Sequence, residues 1–433
     1  MTARRGLLIR TLLAAALPAG LLAGCANGLP VSPGPEHTGS FVQAADAKPI
    51  PVTDAQLAQA EKGSEAFGLA LLRKLGADGT SMVYSPQTLV DLLGMLLPGA
   101  QGQTRTALEN ALGAVGLAPD TAAAALGKVD AAGRADANQG SNTLDEAADL
   151  WTTTGLTPTQ DYLAALDGAF HTGVHQTDFA KDPAGSEDAI DNLVSQETHG
   201  YIKQLFSKGS IDASTLVVLT DAVYLNAQWE QAFDPGKTFD TSFHPDSGAA
   251  QQTSMMDEEG TYGYTSVGGC QVVELPYAGG KLAMDVLLPA EGPGTLAALR
   301  NGLTADSLDA MLASLMPQRV EVQLPKFTTD STADSLRQDL SALGLGGLFT
   351  NADLGGMFTG GDQAFLSQVV EKAHIEVGEK GTVAAAAAGG AVGATAEQPA
   401  PLTFTADHPF LYLVRDLSTG QLLFAGQLTA PSA

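Results

Sequence analysis

The chain has 433 residues, with 48 Asp and Glu against 22 Lys and Arg, a formal net charge of −26. Such acidity argues against nucleic acid, heparin-like polyanions and anionic lipid surfaces as partners, because each would be repelled. Length alone would allow two or three domains, yet no internal repeat or interior linker interrupts the pattern, so a single large domain over residues 53–433 is expected.

Arg4, Arg5 and Arg10 precede an apolar core over residues 11–22, which ends in Leu22-Ala23-Gly24-Cys25. A charged start, a short apolar region and small residues make a secretory signal, and the core is too short to span a bilayer comfortably. The ending looks like a bacterial lipobox, in which cleavage before the cysteine leaves Cys25 as the lipid-bearing first residue. Residues 1–24 are then the lipoprotein signal peptide. An ordinary signal peptide with an incidental cysteine is the alternative, and Arg4-Arg5 leaves general and twin-arginine export both open. Residues 25–52 are rich in Pro, Gly and Ser and lack apolar periodicity, the composition of a flexible tether. If Cys25 is acylated, Cys270 has no partner for an intramolecular disulfide and reads as a buried structural cysteine.

Residues 53–75 are helical, opened by a capping box of Thr53 and Gln56, with Phe67, Leu71, Leu72 and Leu75 on one face. Ser85 caps a second helix with Pro86 in its first turn and Leu89, Leu92, Leu93 and Leu96 along the core stripe. Residues 118–142 are Ala- and Gly-rich with few bulky apolar residues, and suggest no element. Thr157-Pro158-Thr159-Gln160 reads as a second capping box opening a helix through Leu163, Leu166 and Phe170. Ser186 reads as the start of another, running to Gly200. His171, His175 and Asp178 have a spacing that would suit a metal on a helix. Gly173 interrupts it, so a polar turn leading into a strand near Phe179 is expected, with no metal. Residues 216–225 are almost continuously apolar and β-branched, the mark of a strand buried on both faces. Strands over 271–277 and 281–288 join around Ala278-Gly279-Gly280, and residues 319–327 alternate. A helix over 331–343 is stopped by Gly344. Residues 365–377 form a strand, and 409–414 pair with 422–428 across Ser418-Thr419-Gly420.

One stretch, residues 379–400, stands apart. Between Lys380 and Glu397 it has no charge, no proline and nothing larger than valine. Composition alone suggests a helix or a linker, but strands flank it, and a loop of this length inside a compact domain is usually functional or disordered. In an extended chain Thr382, Ala384, Ala386 and Ala388 face one way, and Val383, Ala385 and Ala387 the other, so nothing in the run resists burial. The stretch is a loop that can become a strand.

Here the sequence resembles the serpins, protease inhibitors that trap their target by inserting a cleaved loop into a central sheet. The hinge matches residue by residue: Glu379, Lys380, Gly381, Thr382, Val383, then Ala384, Ala385 and Ala386. Further blocks agree: Val83-Tyr84-Ser85-Pro86, Gly99-Ala100-Gln101-Gly102-Gln103-Thr104, Thr220-Asp221-Ala222-Val223-Tyr224-Leu225-Asn226 with Trp229, Leu324-Pro325-Lys326-Phe327, and Ala406-Asp407-His408-Pro409-Phe410. The resemblance implies an α+β serpin-like fold: a large, mostly antiparallel central sheet, smaller sheets, about eight or nine helices and an exposed reactive-centre loop over 379–402. It implies that the sheet opens around Ser85, Asn226, Trp229 and Glu371.

The resemblance further implies suicide inhibition of serine proteases by a non-enzyme without cofactor or metal. Counting seventeen positions from Glu379 puts the reactive bond at Thr395-Ala396, within two residues either way. Every residue from 392 to 396 is small, which suits a shallow elastase-like or subtilisin-like pocket. Three departures stand out: Glu371 where serpins often carry histidine, with His374 three residues on; Val383 where an acid is common; and the flexible pair Gly389-Gly390. The expected protein is a monomer, extracellular or periplasmic, held to the outer face of the cell membrane only by lipid. The alternative is a non-inhibitory serpin acting as a cell-surface binding or scaffold protein, against which the alanine-rich hinge argues. A secreted hydrolase is disfavoured: the chain lacks G-x-S-x-G, a P-loop and G-x-G-x-x-G, and Ser85 reads as a helix cap rather than a nucleophile.

Overall fold

The computed structural model describes residues 39–45, 47–333, 336–360, 364–382 and 400–431, all within one compact unit, His37–Ala433. The chain opens with β1 (Ser40–Val42) and α1 (Asp54–Leu75). Thr53 and Gln56 exchange both halves of the expected capping box, at 2.9 and 3.4 Å. β2 (Met82–Tyr84) then delivers α2 (Pro86–Leu96), whose Thr88 N–H donates to the capping Ser85 Oγ at 3.3 Å. After α3 (Gly102–Ala111), residues that suggested no element form α4 (Pro119–Ala137). Their smallness is what packs them: Ala122, Ala123, Ala124 and Ala125 are buried, and a Cβ on Gly127 would stand 2.1 Å from the Ala169 carbonyl oxygen.

β3 (Thr143–Thr153) leads to α5 (Gln160–Phe170). Its cap is Thr159, which accepts from the Tyr162 N–H at 3.2 Å, and not Thr157. The Thr157 carbonyl instead accepts from the Thr359 N–H at 2.9 Å, and the Pro158–Phe358 bridge keeps the chain extended there. β4 (Val174–Thr177) and α6 (Pro183–Glu197) follow. Asp182 caps α6 through the Gly185 N–H at 3.0 Å, so Ser186 lies inside the first turn.

Next come β5 (Val217–Gln228), β6 (Phe239–Phe243), β7 (Gln251–Val267) and the hairpin of β8 (Cys270–Pro276) with β9 (Leu282–Pro289). α7 (Thr295–Gly302), α8 (Ala305–Ala313), β10 (Met316–Pro325) and β11 (Phe327–Ala333) continue the chain. The helix expected over 331–343 shortens to α9 (Arg337–Leu340) with a π turn, because β11 carries the chain past Ser331. The Ser331 hydroxyl is held there as acceptor for the Val83 N–H at 2.9 Å. β12 (Leu366–Gly378), β13 (Gly381–Thr382), β14 (Leu402–Thr405), β15 (Phe410–Asp416) and β16 (Leu422–Leu428) finish the fold.

A seven-stranded sheet has the order β1-β4-β3-β5-β13-β12-β11. The other nine strands form a second sheet, β14-β10-β7-β8-β9-β15-β16-β2, with β6 on the flank of β7. Part of the stretch 25–52, expected as a flexible tether, is packed on the domain: Ser40, Phe41 and Val42 pair antiparallel with β4, and Ile50 and Val52 pack on Ala123, Ala124 and Ala169. β5 is buried on both faces. Val223, Leu225 and Ala227 meet residues of the second sheet such as Val273, Met284 and Tyr412, while Val218 and Ala222 meet Ile190 and Val194 of α6. With Val217 and Leu219 in the core beneath α1 and α2, the apolar residues that the sequence shows as one run are divided among three cores.

Candidate functional site

β5 and β12 are parallel neighbours, paired from Leu366 with Val217 to His374 with Tyr224. Beyond that rung they part, and β13 stands between them. Thr382 is opposite Val377 on one side and Ala227 on the other; Gly381 is opposite Gly378 and Gln228. β13 runs antiparallel to both. A two-residue turn, Glu379-Lys380, reverses the chain into the seam.

The turn is clasped by its surroundings. The Trp229 N–H donates to the Lys380 carbonyl at 2.9 Å, the Phe233 N–H to the Glu379 carbonyl at 2.8 Å, and the Trp229 indole N–H to the Gly378 carbonyl at 3.0 Å. The Glu379 carboxylate pairs with Lys326 Nζ at 3.0 Å and accepts from Thr238 at 3.1 Å. Burial opposes ionisation of Glu379, but its own backbone N–H, Lys326 and Thr238 outweigh burial and hold its pKa below the usual carboxylate value. Thr382 is fully buried, and its hydroxyl meets the Tyr277 hydroxyl at 2.7 Å; Tyr277 stacks on Trp229 with centroids 4.5 Å apart. Gly381 has φ +143°, and a Cβ there would lie 2.1 Å from the Ala227 carbonyl oxygen. Backbone approach this close leaves room only for glycine.

Six residues down β12, roughly 20 Å away, lies the second cluster. Glu371 is opposite Asp221 of β5. Its Oε1 accepts the Ser85 N–H at 2.6 Å, and the Thr88 hydroxyl donates to Asp221 Oδ2. Of the residues expected around the opening, Ser85 and Glu371 thus meet directly, and Trp229 lies at the turn. Asn226 is half-buried on β5 opposite Thr143, one residue before Ala227. His374 does not join Glu371; it pairs with Asp330 at 2.6 Å.

Two residues at the seam carry no signal in their own segment. Tyr277 reads as the end of a hairpin strand, and Asn142 as part of an unassigned stretch. Asn142 bridges the Ala278 carbonyl at 2.8 Å and the Gln228 N–H at 3.2 Å. Only the pairing between distant strands brings them together. Val383, Ala384, Ala385 and Ala386, the bond Thr395-Ala396 and Cys25 lie outside the described residues. His171 ends α5 in a left-handed conformation, and His175 faces Asp149 at 3.3 Å. Among the described residues no group of His, Cys, Asp or Glu could hold a metal ion.

A family model described as Serpin (serine protease inhibitor) matches residues 62–431. The chain belongs to the serpin family. Iripin-2 of Ixodes ricinus is 33% identical over 379 residues, 86% of this chain and 93% of that protein. Neuroserpin of Mus musculus is 32% identical over 368 residues, 83% of this chain and 88% of that one. Among solved structures, the thermophilic serpin tengpin in its native state superposes with a TM-score of 0.80 at 21% identity, covering 91% of this chain and all of that one. Uncleaved ovalbumin gives 0.75 at 22% identity, covering 86% of this chain. The fold is that of a serpin, and serpins are in general protease inhibitors rather than catalysts.

Proposed function

We propose that this serpin is a suicide-substrate inhibitor of serine proteases that prefer small residues, elastase-like or subtilisin-like. The observation that carries the reading is β13: Gly381 and Thr382, the third and fourth residues of the loop, already form a strand between β5 and β12, and the seam continues below them. Continuing that register, Ala384 would face Ile375 and Leu225, Ala386 would face Ala373 and Val223, and Gly393 would reach Leu366 at the foot of β12. Twelve residues at 3.3 Å each would carry an attached group roughly 40 Å.

A protease that attacks at Thr395-Ala396 forms an ester to the loop. Insertion before deacylation drags the enzyme the length of the seam and distorts the oxyanion hole on which deacylation depends. The uninserted state is held kinetically. Incubation with an elastase-like protease is expected to give a covalent band on a denaturing gel, with cleavage within two residues of Thr395. Clean cleavage without that band would favour the non-inhibitory alternative.

The same reading holds the chain outside the cell by lipid on Cys25, at the end of a bacterial lipoprotein signal, and as a monomer. Among the described residues no helix is long and apolar enough to cross a membrane. Cys25→Ala is expected to move the protein from the membrane fraction to the medium or periplasm, and an unchanged distribution would refute the anchor.

A further inference from the structure

Two carboxyl groups meet where β5 and β12 would have to part. Glu371 and Asp221 are register partners, with 2% and 0% of their surfaces exposed. The same turn beneath them, at the start of α2, holds both: Ser85 N–H on Glu371 and the Thr88 hydroxyl on Asp221. Asp221 Oδ1 has no hydrogen-bond partner among the described residues. The groups around the pair are acidic or neutral. Tyr84 of β2, Asp91 of α2, Asp130 of α4, and Glu146 and Asp149 of β3 all act on it or on one another. Arg134 of α4 is engaged with Glu146 at 3.0 Å and Asp130 at 3.7 Å, and on β11 Asp330 is taken by His374.

Burial pushes the Asp221 carboxyl up to about 8, against the Thr88 hydroxyl and helped by Asp149 and Asp130. Burial, and then the charge of Asp221, push Glu371 well up, against the Ser85 N–H. Two carboxylates this close in a dry site cannot both ionise. The Glu371 side borders solvent: a cleft of about 270 Å³, lined by Asp78, Thr80, Tyr84, Asp330 and Ser331, has Glu371 in its wall.

We propose that Asp221 and Glu371 form a proton-operated latch on the seven-stranded sheet, protonated and shut while β5 and β12 are paired, ionised and repelling as they separate to admit the loop. The latch rests on the loop-insertion reading. In the register of β13, Ala388 would stand between the two carboxyls and move them to opposite sides of a new strand, roughly 10 Å apart. There the charge of Asp221 no longer presses on Glu371, and the Glu371 pKa falls.

The direction follows from linkage. Below the ordinary carboxylate range both groups are protonated whether the seam is shut or open, and pH has no effect. As pH rises from there to about 8, the value for Asp221, only the open form ionises freely, so opening is favoured progressively, and the bias levels off only where both carboxyls ionise with the seam shut as well. This serpin therefore holds its loop out most firmly in mild acid and releases it most readily in mild alkali.

The test is the rate at which the uncleaved full chain converts to a heat-resistant, loop-inserted form at fixed warm temperature and ionic strength, followed by tryptophan fluorescence. Conversion is expected on the order of tenfold faster at about pH 8.5 than at about pH 5.5. Glu371→Gln and Asp221→Asn should each flatten that dependence in part, because burial still holds the remaining carboxyl up, and the double variant should lose it, whereas Glu197→Gln, at another buried raised carboxyl, should keep the wild-type slope. Equal wild-type rates at the two pH values, or an unchanged slope in both Glu371→Gln and Asp221→Asn, would overturn the latch. Should those variants not fold, the wild-type infrared band of protonated carboxyls must disappear with the midpoint of the rate, and a different midpoint refutes the idea. A clipped chain that gains no heat resistance at any pH would instead remove the insertion reading beneath it.

Discussion

Thr382 carries the most weight at the scale of single residues. Its side chain points into the second core, is fully buried and finds a hydroxyl partner in Tyr277. An arginine there would bring a charge with no carboxylate beside it, at a cost of about 3 kcal/mol or more, which is over a hundredfold in the rate of strand entry. Thr382→Arg is thus expected to be cut by the target at the wild-type rate but to leave little covalent complex; full trapping would refute the geometry. Trp229, Ser85 and Glu379 stand out in the sequence because each sits in a matching block, and Glu371 because it departs from the family's histidine. Tyr277 and Asn142 do not, because their partners come from strands far away in the chain, and register between such strands leaves no local pattern. The strained glycine at 381 is a mixed case: the motif contains it, but its reason, the Ala227 carbonyl 2.1 Å from a Cβ, is visible only in the fold.

Elements show the same division. Helices with a capping side chain and a leucine stripe, α1 and α2, lie where periodicity puts them, and β5 and β12 fill the apolar runs that announced them. α4 went unread because its core face is alanine and glycine, which periodicity discounts although close helix packing demands them. Gly127→Leu is expected to force α4 away from α5 and lower stability by about 2–3 kcal/mol, measured as a fall in the urea midpoint at unchanged slope. An unchanged midpoint would mean that the close approach to Ala169 is not a true contact. β1 escaped for a different reason: three residues on a sheet edge, flanked by Gly39 and a loop, are too few to show alternation. Ser331 reads from its own segment as the start of a helix, whereas the hydrogen bond that keeps it in β11 comes from β2.

For the whole molecule, the seven-stranded sheet has a defect built into its centre. β5 and β12 are parallel and directly paired for most of their length, but their upper ends already accept an antiparallel strand. Completing that strand would exchange one ladder for two, a net gain on the order of ten backbone hydrogen bonds at about 1 kcal/mol each. It would also bury a run of small apolar side chains. On the proposed reading geometry prevents completion while the loop is uncut, since both flanks of residues 379–402 are held, by β12 on one side and by the parallel pairing of β14 with β10 on the other. Cutting the loop frees one end and removes that restraint. Cleavage near Thr395 is therefore expected to raise the thermal midpoint by ten degrees or more, since about 10 kcal/mol at 1–2 °C per kcal/mol gives a shift of that order in a domain of this size. Scanning calorimetry of cut and uncut chain decides it. An unchanged midpoint after complete cleavage would show that the seam does not take up the loop, and with it the energetic source of inhibition would be gone.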